Sequence, residues 1–214
     1  MNKSNRGQEL PFEFPFTNPF MQTQFCNLFN MLRIYNPNFT REVMDVIIPF
    51  CKVFSFKKGN ILLDYGEVCN YVYFAVSGLV TAIENPDGRE RHCWFMVMGD
   101  VIISIDSFYT QSKSEEKLVA LEDTICIALH VDDLEKLGLE YPSFLLVRSR
   151  LTEYYYREAY ARSKWIGKKP AERYALLLEH YPRFFNRVSD KALASYLGVS
   201  PRTFTRIKTA HFSK

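Results

Sequence analysis

Ser189–His211 reads SDKALASYLGVSPRTFTRIKTAH, and its spacing predicts two short amphipathic helices joined by a tight turn at Gly198. In the first helix Leu193, Ala194 and Leu197 share one face. Ala194 stands four residues before Gly198, where a small side chain lets a second helix cross closely. Gly198 takes the left-handed backbone that ends a helix at little cost. Ser200 then caps the next helix, and Pro201 suits its first turn, where no amide hydrogen is required. Phe204 and Ile207 face inward, leaving Arg202, Thr203, Thr205, Arg206 and Lys208 to face outward. This is a helix-turn-helix pattern, and its second helix is of the kind that enters a DNA major groove.

Charge points the same way. Residues 161–214 hold 12 Lys and Arg, among them Lys164, Lys168, Lys169, Arg183 and Arg187, against 3 acidic residues, a net +9. The whole chain is +3, so residues 1–160 carry −6. A mild overall balance hides a basic tail on an acidic body, the footprint of phosphate binding. A solvated surface kept for solubility would not need the helix pair beside it.

Working outward, 214 residues suffice for one ordinary domain and a small one, and 47% apolar residues suit a packed protein. No apolar run approaches the ~20 residues of a membrane span, so no membrane partner is expected. The amino terminus lacks a continuous apolar stretch, so no signal peptide is expected and the cytoplasm is the expected compartment. Cys26, Cys51, Cys69, Cys93 and Cys126 are odd in number and widely spaced, which suits reduced thiols rather than a metal cluster. The scattered histidines His92, His130, His180 and His211 argue against a cupin-type metal enzyme, and no nucleophilic triad or phosphate loop is visible. No catalysis and no cofactor are expected.

Residues 1–24 alternate Phe with polar residues or Pro at Phe12, Phe14, Phe16 and Phe20, which suits an edge strand or an arm lying on this subunit or a partner. Gln24–Phe50 reads as helical, interrupted at Asn36-Pro37-Asn38, with Thr40 capping a second helix. From Lys52 to about His130 the pattern is short apolar strands: 60–63, 71–76, 79–83, 92–98, 101–105, 117–121 and 125–130. Asn85-Pro86-Asp87-Gly88 is a hairpin loop. Seven or more strands at this spacing indicate a sandwich or roll.

A long helix follows from Tyr141-Pro142-Ser143 to about Ile166. Phe144, Val147, Leu151, Tyr154, Ala161 and Trp165 keep three-to-four spacing on it, with Glu158 breaking the seam. Such a seam suits pairing with a second copy; the alternative is packing on the chain's own roll. Gly167-Lys168-Lys169-Pro170 breaks the helix and makes a hinge. A helix from Ala171 to His180, with Tyr174, Leu177 and Leu178 inward, then supports the reading pair. The expected architecture is α+β: a β jelly roll over 1–140, a dimerisation helix over 141–166 and a small helix-turn-helix domain over 167–214.

The order of these parts resembles the Crp/Fnr family of bacterial transcription regulators. The roll carries FKKGNILLDYGE at Phe56–Glu67, YFAVSGLV at Tyr73–Val80, DGRE at Asp87–Glu90, MGD at Met98–Asp100 and ALEDT at Ala120–Thr124. The resemblance implies a cyclic-nucleotide-binding-like roll, a homodimer and a palindromic operator on double-stranded DNA. RNA polymerase and a small-molecule effector are further candidate partners. In members that bind cyclic nucleotides, a Glu in the short helix after GD meets the ribose and a following Arg pairs with the phosphate. Aligned from Gly99-Asp100 and Phe108, Ser104 takes the Glu position; aligned back from Ala120, Ser114 takes the Arg position, with Lys113 before it and Glu115 and Glu116 after it. Two carboxylates and no guanidinium would repel a buried phosphate, so cyclic AMP is not the expected ligand.

Carried onto SPRTFTRI, the family's base-reading positions fall on Ser200, Pro201, Arg202, Thr205 and Arg206. Arg206 matches an Arg common there and is suited to guanine. Arg202 stands where many members carry a Glu, so the operator is expected to differ. The family's β-wing is expected to be missing, with Lys164, Lys168, Lys169, Arg183 and Arg187 supplying phosphate contacts. The rival class is a sensor or scaffold protein whose helix-turn-helix meets protein instead of DNA.

Overall fold

The computed structural model describes residues 6–212. The Phe-rich start forms a short strand β1 (Gln8–Leu10) and then an irregular arm. Phe12 and Phe16 lie 5.1 and 4.9 Å from the ring of Phe25, so the arm covers the chain's own helix α1 (Pro19–Tyr35). Asn18 caps α1 by accepting from the Phe20 amide at 2.9 Å, and Pro19 fills the first position, so this helix begins five residues before Gln24. It ends at Asn36, where the sequence placed the break. Thr40 stands before α2 (Arg41–Ile47) as expected, but its side chain makes no capping bond.

The roll is two sheets. One has the order β1, β2 (Cys51–Phe56), β9 (Thr124–His130), β4 (Tyr71–Ser77), β7 (Val101–Ile102); the other β3 (Ile61–Leu63), β8 (Glu116–Ala120), β5 (Leu79–Glu84), β6 (Arg91–Val97). β2 was absent from the expected strands; it pairs with β9 in unbroken antiparallel register, Cys51 opposite Leu129 through Phe56 opposite Thr124. The 101–105 strand shrinks to two residues because helix α3 (Ile105–Thr110) begins there. Leu79, Val80, Ile102, Leu118, Ala120 and Cys126 are essentially inaccessible and form the middle of the core. The roll is closed by α4 (Val131–Glu140), capped by the His130 ring, whose Nδ1 accepts from the Asp132 amide at 3.3 Å.

The remaining helices are α5 (Pro142–Ser163), α6 (Pro170–His180), α7 (Asp190–Tyr196) and α8 (Pro201–Phe212). The chain divides into two compact units. One runs up to Ala82 and adds Phe95–Tyr154; the other joins the hairpin segment Ile83–Trp94 to the residues from Tyr155 onward. No helix among the described residues is long and apolar enough to cross a membrane.

Candidate nucleic-acid interface

Local sequence builds the helix pair. Ser189 Oγ accepts from the Ala192 amide at 3.3 Å and starts α7. At its far end Gly198 has φ +64°; its amide donates to Ser195 and the Val199 amide to Ala194, each at 3.0 Å. That closure uses two carbonyls the helix would otherwise leave bare. Ser200 Oγ accepts from the Thr203 amide at 3.1 Å, and α8 follows from Pro201. Leu193, Ala194, Leu197 and Phe204 are buried, and the ring of Tyr174 on α6 meets Phe204 at 5.5 Å.

With Phe204 inward, Ser200, Pro201, Arg202, Thr205 and Arg206 are exposed and Thr203 is half-exposed. Lys168 and Lys169 are exposed in the segment leading into α6, where Lys169 is the N-cap residue. Lys208 departs from the expectation that it faces outward. Its ammonium donates to both carboxylate oxygens of Asp190, at 2.8 and 3.0 Å, because α8 passes the first turn of α7. Lys208 therefore braces the two helices together.

The seam on α5 needs a larger correction. Phe144 and Val147 are buried, Phe144 with its ring 6.5 Å from Phe39, so the chain's own core already covers them. Leu151 is half-buried, Tyr154 sits 5.9 Å from Tyr35, and only Tyr154 and Ala161 of the six seam residues remain exposed. In the second unit the same helix uses Glu158, Arg162 and Trp165 internally. Glu158 accepts from the Tyr181 hydroxyl at 3.0 Å, and burial pushes that phenol well above its ordinary value, with Tyr196 and Glu158 adding to the rise. The Arg162 guanidinium stacks 3.8 Å from the Tyr196 ring centroid, lies 5.3 Å from that of Trp94 and donates to the Cys93 carbonyl. Trp165 stacks on His180 at 6.0 Å. Glu158 and Arg162, charges one turn apart on an otherwise apolar seam, were the sequence signal for this internal docking. The exposed apolar residues of α5 are Leu145, Leu146, Tyr156 (73% exposed) and Tyr160 (58%), with Tyr154.

At the positions the resemblance assigns to a cyclic nucleotide, the residues serve a turn, bond each other or face the surface. Gly99 turns with φ +91°, and Asp100 accepts from the Val97 amide at 2.8 Å, so both serve the turn. Ser104 and Ser114 are buried with their hydroxyls 3.0 Å apart. Ser114 Oγ also donates to the Glu116 carbonyl at 2.8 Å, while Ser107 Oγ accepts from the Cys69 amide at 2.9 Å. Lys113 and Glu115 point to the surface. Where the resemblance implies a Glu and an Arg, the chain has two small neutral hydroxyls bonded to each other.

Residues 53–141 match the family model of the cyclic nucleotide-binding domain. A comparison with curated proteins gives no match. Among solved structures the chain is similar to FixK2 from Bradyrhizobium japonicum, at 22% identity and TM-score 0.66, covering 76% of this chain and 85% of that one. It is also similar to the c-di-GMP responsive global regulator CLP of Xanthomonas campestris, at 15% identity and TM-score 0.65, covering 81% and 92%. The Thermus thermophilus catabolite activator protein matches at 21% identity and TM-score 0.54, covering 84% and 85%. At these identities the likeness is one of fold: residues 53–141 match the cyclic nucleotide-binding domain family, in a chain folded like FixK2 and the catabolite activator protein.

Proposed function

We propose that the protein is a homodimeric DNA-binding transcription regulator of the Crp/Fnr type that works without cyclic AMP. The observation that carries this reading is α8 itself. Phe204 anchors it inward, and Arg202, Thr205 and Arg206 stand exposed on its outer side beyond the turn at Gly198. Arg206 is assigned to a guanine and Arg202 to a base or phosphate, while Lys168 and Lys169 contact phosphates. Lys208, held by Asp190, is a brace and leaves the reading set. Two copies joined through α5 present two reading helices to a palindromic site. The pairing face is Leu145, Leu146, Tyr156 and Tyr160, since Phe144 and Val147 are already covered. The serine pair in place of a Glu and an Arg supports a roll that does not respond to cyclic nucleotide. Its three-part organisation is then a roll to residue 140, a pairing helix over 141–166 and a reading domain from 167.

The test is selection of duplexes from a random pool by the purified chain, followed by gel shifts at two salt concentrations. We expect a palindromic preference and affinity that falls steeply with salt. Indifference to every duplex at low salt would leave the scaffold reading in its place.

A further inference from the structure

Two consecutive residues of helix α6 meet the helix pair within one compact unit. Tyr174 is its core contact, with ring centroids 5.5 Å from Phe204 and 5.4 Å from Phe185. Arg173 reaches instead to the turn between α7 and α8, where its Nη1 donates to the Leu197 carbonyl at 2.6 Å. Leu197 is the C-cap of α7, so this carbonyl lies at the negative end of the helix, one of those left bare when a helix stops. A guanidinium there meets one carbonyl lone pair and suits the negative end of the helix. The closeness is measured by Gly198, where an added Cβ would stand 3.4 Å from Arg173 Nη1. Gly198 is also the least constrained joint of the pair, because a residue without Cβ offers the backbone little resistance to rotation.

We propose that Arg173 is a positioning residue for base reading. It clamps the α7–α8 turn through Leu197 and so sets the angle at which α8 presents Arg202 and Arg206. A directed contact is spoiled by a misalignment of about 10–20°, which an unclamped glycine turn readily allows. The inference rests on the DNA-reading role proposed above. It uses one nitrogen of Arg173, so a lysine, with one charged donor, should largely replace it.

Two measurements on the full chain test this with Arg173→Gln and Arg173→Lys. Hydrogen exchange needs no DNA. In Arg173→Gln the amides of Leu197, Gly198 and Val199 should exchange about 10-fold faster while α1 and the roll are unchanged, and in Arg173→Lys they should stay within about 3-fold of the parent. Unchanged exchange in Arg173→Gln, or equal loss in both variants, overturns the proposal. If Arg173→Gln does not fold, Arg173→Met takes its place in the same comparison with Arg173→Lys. The second measurement compares a duplex selected by the parent protein with a random one. Arg173→Gln should lose about 10-fold or more on the selected duplex and under about 2-fold on the random one. An equal loss on both, with a salt slope reduced by about one contact, would make Arg173 a phosphate contact and overturn the positioning role. If the parent selects no duplex at all, the regulator reading fails, while the exchange result still judges the clamp.

Discussion

Gly78 joins β4 to β5 with φ +90°, and a Cβ there would stand 2.6 Å from the Asp123 carbonyl oxygen and 2.7 Å from the Thr124 Cα. Gly88, at the hairpin tip with φ +74°, would meet nothing within 4 Å. Gly78→Ala should therefore cost roughly 3 kcal/mol or more in urea unfolding, against about 1 kcal/mol for Gly88→Ala, which pays only for the backbone angle. Equal costs would mean the close approach is unimportant. His92 supplies a pH effect. Burial lowers its pKa from the ordinary 6.5, Lys191 adds to the fall and Glu90 opposes it. The unfolded chain then binds more protons than the native one, so stability present above pH 6.5 is lost as pH falls from that value through the lower folded one. Urea midpoints measured from pH 7.5 to 5.5 should drop in the parent and drop less in His92→Gln. Arg206→Ala should cost about 1–3 kcal/mol on a selected operator and little on random DNA, read by fluorescence anisotropy.

At the scale of elements, α5 shows how one helix divides its faces. Phe144 and Val147 are buried in the first unit, Glu158, Arg162 and Trp165 are used inside the second, and Leu145, Leu146, Tyr156 and Tyr160 remain exposed. Two substitutions separate pairing from folding. The double variant Tyr156→Asp, Tyr160→Asp should sediment as a folded monomer, since it places charge on the exposed face alone. Phe144→Ala should leave the folded fraction dimeric but lower stability by about 3–5 kcal/mol, the cost of emptying an aromatic site in a core. The reverse outcome would restore the seam through Phe144 as the pairing surface. The thirteen residues from Gly198 to Ala210 were legible because turn, cap and periodicity are local. β2 was not: CKVFSF makes sense as a strand only when β9 is opposite it.

For the whole molecule, the +9 segment and the −6 remainder set the sign of any encounter with DNA. The roll's part is settled by calorimetry. Cyclic AMP titrated into the purified chain should release no binding heat at micromolar protein, and micromolar affinity would show that the serine network opens to admit a phosphate. The sequence by itself determined what near neighbours along the chain decide: the helix start at Ser200, the turn at Gly198, and the order of roll, long helix and helix pair. Only the tertiary structure decided which side of α5 stays free, that Lys208 belongs to Asp190, that Ser104 meets Ser114 and that Arg173 reaches Leu197. The reason is physical. Caps and periodicities are fixed by bonds spanning a few residues, whereas these four outcomes depend on which surfaces long-range burial brings together, and spacing along a chain carries no record of that.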